Sequence, residues 1–261
     1  MNPIDKLFKT IQKNRPIIIN EVIAKGEKEF CGKRGIVIGG GSGIGKAIAT
    51  ALKNRGAEVI ICGRKKYSIN GMESIIWDVS NIDEINDKFN EIVKKYGKLD
   101  FVVNSQGVLN STKYEAVTKE IFEDTMRTNL ESVYFVNQVA MLYYKENRIK
   151  GHILNICSTE GLKGVLVPYG ISKAGVISLT KGFGRYGIQY GITVNGLAPG
   201  ATATAMMNMN PNEDLRRNYI PSNRACTPNE IALAAILLLG DAGEQMCGEI
   251  LVMDGGESLH N

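Results

Sequence analysis

A chain of 261 residues with 44% hydrophobic and 22% charged side chains has the makeup of an ordinary globule with a sizeable core, and one domain is favoured over two. Its net charge of +4 is mild, and apart from Arg64-Lys65-Lys66 its basic residues are spread along the chain, which argues against nucleic acid as a partner. Five scattered cysteines, no Cys-x-x-Cys and two histidines argue against a disulfide framework or a metal site.

Residues 1–34 stand apart from the rest of the chain. Ile4, Leu7, Phe8 and Ile11 recur at helical spacing, Lys6, Lys9 and Lys13 flank them, and Pro16 ends the pattern. We expect an N-terminal extension with a short amphipathic helix, packed on the domain or on another subunit. Its apolar face is too short to argue well for membrane attachment. The longest apolar runs, such as 231–239, fall far below a membrane span, and no continuous apolar stretch marks a signal peptide. These features point to a cytoplasmic protein with no membrane partner.

From residue 35 to 261 short β-branched runs alternate with helical patterns. Strands are expected at 35–38, 58–62, 74–77, 99–103, 152–156, 192–197 and 249–252. Such alternation builds right-handed βαβ units, so the fold class is α/β: a single domain with a doubly wound parallel sheet of about seven strands and helices on both faces. Ligands of these sheets sit beyond the carboxyl ends of the strands, where the chemistry-bearing residues should lie.

The first strand runs into Gly39-Gly40-Gly41-Ser42-Gly43-Ile44-Gly45. Glycines there let the chain turn sharply and bring backbone N–H groups and a helix N-terminus toward a pyrophosphate. Placement between strand and helix favours a dinucleotide site over a plain turn, in a Gly-x-x-x-Gly-x-Gly register. The second strand ends at Arg64-Lys65-Lys66, and the only acid between Gly45 and Lys66 is Glu58, at the wrong end of that strand. A basic group at this point suits the 2′-phosphate of NADP(H), where NAD(H) wants an acid for the ribose hydroxyls. NADP(H) is therefore the expected cofactor.

Farther on, Ser158 follows the fifth strand, and Tyr169 and Lys173 stand at i and i+4 of a helix, sharing one face. Bringing a phenol from about 10 toward about 7 needs roughly 4 kcal/mol, about what one positive charge supplies at roughly 4 Å with an effective dielectric near 20. Lys173 is thus expected to lower the pKa of Tyr169. Alone, such a pair is an ordinary surface neighbour; its place in an ordered series gives it meaning.

That series resembles the classical short-chain dehydrogenases/reductases over about residues 33–258. Gly39, Gly43 and Gly45 match the family's cofactor loop, with Ser42 and Ile44 inside it, and Asp78-Val79 match the acidic pair that holds the adenine. Asn104-Ser105-Gln106-Gly107 match its Asn-Asn-Ala-Gly element, Asn129 its helix asparagine, and Ser158, Tyr169 and Lys173 its catalytic residues. Pro199, Gly200, Thr202 and Thr204 match the nicotinamide-side loop, and Asp254-Gly255-Gly256 the usual close. The resemblance implies a Rossmann-type fold and hydride transfer between NADP(H) and a small carbonyl or alcohol. Ser158 would bind the substrate oxygen, Tyr169 would exchange the proton, and Lys173 would serve both Tyr169 and the nicotinamide ribose. Asn129 would hold a water that relays protons to solvent. A homotetramer or homodimer built on helices around 119–146 and 168–187 is also implied.

The chain departs from that pattern in places. Ile38 replaces a threonine, Ser105-Gln106 replace Asn-Ala, and Asp78 follows Arg64 by only fourteen positions, so the helix between the second and third strands should be shortened or lost. The segment from Ser158 to Tyr169 is about two residues short and carries Glu160, a candidate pocket residue that would suit a hydroxylated or cationic substrate, sugar- or polyol-like compounds among them. Met206 and Met207, in a variable wall over 203–224, should form an adaptable lid over the pocket. A 3-oxoacyl-carrier-protein reductase is the nearest alternative, and a non-catalytic dinucleotide sensor or interaction protein is the alternative of another class.

Overall fold

The computed structural model describes residues 28–110 and 112–260. The expected amphipathic helix at 4–13 lies outside them. Within them, seven parallel strands form one sheet: β1 Arg34–Ile38, β2 Glu58–Gly63, β3 Glu73–Ile76, β4 Phe101–Asn104, β5 His152–Ile156, β6 Thr193–Pro199 and β7 Ile250–Met253. Their order is β3-β2-β1-β4-β5-β6-β7. The order reverses between β1 and β4, which pair in parallel with Ile38 opposite Asn104. A crevice opens there because the connections from the two strands leave in opposite directions.

Among the described residues six α-helices cover the sheet: α1 Gly43–Asn54, α2 Ile85–Tyr96, α3 Lys119–Met126, α4 Ser132–Glu146, α5 Pro168–Gly187 and α6 Pro228–Leu239. Side chains alternate across each strand, and the core divides accordingly. Val37, Val59, Ile61 and Val103 meet Ile48 and Leu52 of α1 and Ile231 and Ala235 of α6 on one face. Ile36, Ile38, Ile60 and Val102 meet Phe89 of α2 and Val136 and Tyr144 of α4 on the other. Each large side chain buried this way contributes about 1.5–3 kcal/mol relative to exposure. Val176 and Ile177 of α5 pack on Ala198 of β6 and Cys157.

Local chemistry sets the helix ends. Pro168 opens α5, where its missing N–H is harmless. Thr227 caps α6 in a reciprocal box, accepting from the Glu230 N–H at 3.2 Å while its own N–H donates to Glu230 Oε2 at 2.8 Å. Strand boundaries shift modestly from those expected: β3 lies one residue earlier, β4 begins at Phe101, and β6 reaches Pro199. Phe30 is buried and meets Phe101 edge-on at 6.4 Å, so the last described residues of the N-terminal segment join the core. No helix forms between β2 and β3, in line with their short spacing. Among the described residues no helix is long and apolar enough to cross a membrane.

Candidate active site

Beyond the carboxyl ends of the strands lies a cavity of about 530 Å³. Its middle is the loop from β1 to α1. Gly39 and Gly43 have φ of +75° and +50°, in the left-handed region that favours glycine. A Cβ on Gly39 would come within 2.7 Å of the Ser105 carbonyl, and one on Gly45 within 2.8 Å of the Gly39 carbonyl carbon. The loop therefore folds tightly against the chain after β4 and presents backbone to the cavity. No acidic side chain stands in the first turn of α1, so the positive end of its dipole is uncompensated by the protein. Among the cavity-lining residues here are Ser42 and Ile44. A pyrophosphate fits this donor set, and a dinucleotide held here would reach both ends of the cavity.

At one end stand Arg64, Asp78 and Val79. Asp78 Oδ1 accepts from Ser80 N–H at 3.0 Å and Ser80 Oγ at 2.8 Å, which fixes its carboxylate at the cavity wall. Gly107 and Pro199, Gly200, Thr202 and Thr204 line the opposite wall. Thr202 Oγ1 donates to the Gly200 carbonyl at 3.0 Å. The Thr204 methyl lies 3.3 Å from where a Gly43 side chain would begin, so the loop after β6 closes directly on the glycine loop.

Ser158, just past β5, and Tyr169, at the start of α5, face the other end. Ser158 Oγ accepts from the Glu160 N–H at 3.2 Å and also hydrogen-bonds the Tyr169 phenol. Lys173, one turn after Tyr169, is buried, and its Nζ donates to the Ile156 carbonyl at 2.8 Å. Its Nζ lies 5.8 Å from the centre of the Tyr169 ring.

The electrostatics correct the expectation for this pair. Burial is the largest influence on Tyr169 and pushes its phenol above the ordinary tyrosine value; the Ser158 hydrogen bond opposes it, and Glu160 and Cys157 add to it. Burial also lowers the Lys173 ammonium to about 8. Lys173 thus ties α5 to the end of β5 in the resting site, and burial keeps Tyr169 protonated there. A neutral phenol is a proton donor, the form required to turn a carbonyl into an alcohol.

The side chains of two expected site residues are engaged within the protein. Asn104 does not reach the cavity. It lies beneath it, with Nδ2 donating to Asn137 Oδ1 at 2.8 Å and Asn155 Oδ1 at 2.9 Å, and so ties β4 to β5 and α4. A buried amide takes the partners nearest to it, and here those are asparagines. Asn129 sits in a π-helical turn, Arg127–Glu131. Its Nδ2 donates to the Val108 carbonyl at 2.9 Å and Ser172 Oγ at 3.2 Å, and its Oδ1 accepts from the Val108 N–H at 2.8 Å. Ser172 Oγ in turn donates to the Tyr169 carbonyl at 2.6 Å. The Asn129 side chain therefore positions the loop after β4 against the helix that carries Tyr169.

Glu160, Met206 and Met207 line the same cavity, and they are joined by Glu257 from the C-terminal turn. Lys163 Nζ bridges Glu160 Oε1 and Glu257 Oε1, at 3.3 Å each. Tyr67 and Trp77 also line the cavity, at its nucleotide end. Sequence reasoning missed Glu257 and both aromatics. Proximity to Arg64 and Asp78 could have flagged the two aromatics, but nothing local marks Glu257.

Comparison with known proteins decides the family. The model of enoyl-(acyl carrier protein) reductases matches residues 39–258. The chain belongs to the short-chain dehydrogenase/reductase family. Gluconate 5-dehydrogenase of Gluconobacter oxydans (strain 621H) is 30% identical to this short-chain dehydrogenase/reductase over 242 residues, 86% of this chain and 94% of that protein. A short chain dehydrogenase of Bacillus anthracis str. 'Ames Ancestor' has 30% identity and a TM-score of 0.78, over 90% of this chain and 98% of that one. ElxO with NADP bound has 26% identity and a TM-score of 0.77, over 88% of this chain and 99% of that one. As a short-chain dehydrogenase/reductase, the protein is an oxidoreductase of a family that uses NAD(P).

Proposed function

We propose that this protein transfers hydride between NADP(H) and a small carbonyl or alcohol, with hydroxylated, sugar- or polyol-like compounds as the favoured substrates. The observation that carries the reading is the meeting, in one cavity, of a proton-bearing Tyr169, the Ser158 hydroxyl and a glycine-built dinucleotide cradle. Arg64 at the cavity rim, with no acid beside it at the end of β2, supports NADP(H) over NAD(H). Glu160 and Glu257 at the substrate end present acceptors to hydroxyl or ammonium donors. Gluconate, the substrate named for one relative, is itself polyhydroxylated.

The bound cofactor would supply the hydride. In the reducing direction Ser158 and Tyr169 hydrogen-bond the carbonyl oxygen and orient the carbon. As the C=O π bond breaks and charge builds on that oxygen, the Tyr169 proton passes to it. With a pKa of about 8, Lys173 is mostly charged near neutrality and stabilises the phenolate left behind. In the oxidising direction the same groups take the proton back.

The apolar groove formed by Leu130 of the π-helical turn, Tyr134 and Phe135 of α4 and Leu179 of α5 supports pairing of two copies there as part of this reading. An acyl-carrier-protein-linked ketoreductase is the second reading, favoured by the family model that matches the chain. One panel separates them: ketones, keto sugars and oxoacyl thioesters with NADPH, each with wild type and Tyr169→Phe. Turnover of keto sugars that Tyr169→Phe abolishes supports the proposal. Turnover confined to thioesters supports the second reading, and cofactor binding without any turnover supports a sensor.

A further inference from the structure

The nucleotide end of the cavity holds a feature that belongs to this chain rather than to the general pattern. The connection 64–72 between β2 and β3 carries no helix to stiffen it, yet it is firmly docked, and Tyr67 does the docking. Its N–H donates to Ser74 Oγ of β3 at 2.9 Å. Its ring packs against the core beneath α1, and the far end of the ring is wedged between Gly41 and Gly63. A Cβ on Gly41 would fall within the Tyr67 ring, and one on Gly63 would come within 2.9 Å of Cε2. Gly41 is thus glycine for a steric reason distinct from the conformational demands on Gly39 and Gly43. Lys65 Nζ lies 5.8 Å from the ring centre on this same connection. Arg64 is exposed at the cavity rim, and among the described residues its guanidinium has no hydrogen-bond or ion-pair partner.

We propose that Tyr67 is a positioning residue for cofactor selection: by seating the 64–72 connection on the glycine loop, it holds Arg64 and Lys65 where the 2′-phosphate of NADP(H) would lie. This inference rests on the NADP(H) reading above. The physical reason is preorganisation. The segment that cradles the pyrophosphate is the one Tyr67 grips, so the distance from pyrophosphate to guanidinium is set by folding, and the loop need not be ordered again when the cofactor binds. Without the wedge, a connection with no helix would leave Arg64 free to sample conformations far from the phosphate, and its charge would be held there less often.

The test is a titration of the purified full-length chain with NADPH and with NADH, read by the fluorescence of Trp77. Trp77 is the only tryptophan in the chain and lines the same cavity. Tyr67→Ala is expected to raise the Kd for NADPH about tenfold while the Kd for NADH stays within about twofold, since NADH has no 2′-phosphate to lose. Tyr67→Phe, which keeps the wedge, should match wild type with both cofactors. Tyr67→Leu, which keeps apolar bulk but lacks the flat ring that fits between Gly41 and Gly63, should show the same one-sided loss and carries the test if Tyr67→Ala does not fold. Equal weakening of both cofactors, or unchanged NADPH affinity in Tyr67→Ala and Tyr67→Leu, overturns the inference. So does a Tyr67→Phe loss as large as that of Tyr67→Ala, which would assign the role to the hydroxyl. A wild-type protein with no preference for NADPH, or a preference that survives Arg64→Gln, overturns the cofactor reading itself, and the inference with it.

Discussion

The two ends of the cavity are built by different means. The nucleotide side is mostly backbone: glycines in close backbone contact or at positive φ, a helix N-terminus, and one aromatic wedge, drawn largely from 39–79. The substrate side is side chain: Ser158, Tyr169, two methionines and a clasp in which Lys163 joins Glu160 to Glu257, which lies 94 positions beyond Lys163. A backbone cradle recognises a group common to every reaction of its kind, whereas a clasp of charges can be retuned one residue at a time. The difference teaches that chemistry and cofactor are written locally, while substrate choice is assembled from distant segments.

Changes at the junction of the two ends should have the largest effect. Tyr169→Phe removes the proton donor and should lower kcat by about 10²–10⁴-fold, with NADPH affinity within a few-fold of wild type by fluorescence titration. Equal loss of binding would show that Tyr169 belongs to the cradle and would blur the division between the two ends. On the nucleotide side, Gly45→Ala would drive a Cβ against the Gly39 carbonyl. Such overpacking costs about 1–3 kcal/mol, so cofactor affinity or Tm should fall clearly while any activity that survives keeps its substrate ranking.

The clasp should respond in the opposite pattern. Lys163 is half-buried between its two partners; Lys163→Met leaves two carboxylates uncompensated and should shift kcat/KM between neutral and anionic substrates by up to about fivefold, with cofactor Kd unchanged. A parallel change in NADPH affinity would count against the independence of the two ends. The smallest effect is on stability. Lys173 has its pKa lowered to about 8, so above that pH the native state releases a proton that the unfolded chain still holds. Stability therefore rises with pH, by up to about 1.4 kcal/mol per unit. The window closes near pH 9, where the buried Cys157 thiol, raised from 9.0 to about 11, contributes with the opposite sign. Urea unfolding at pH 8 and 9, with Lys173→Met as control, should show the slope in wild type alone.

Much of this molecule could be read without its fold. β-branched runs separated by helical patterns specify a parallel sheet because period and punctuation are local properties of the chain. The glycine loop, the Tyr169 and Lys173 spacing and the missing helix after β2 are likewise local: each is settled by residues a turn or a loop apart. Tertiary structure decided the rest. Asn104 and Asn129 carry residue types suited to binding, yet their partners are Asn137, Asn155, Val108 and Ser172, brought close only when β4, α4 and α5 pack. Glu257 enters the cavity because the chain after β7 crosses the end of the sheet. The sign of the Tyr169 shift also depends on packing, since the spacing to Lys173 fixes the reach of a charge, whereas the water excluded around the phenol is a property of everything folded over it.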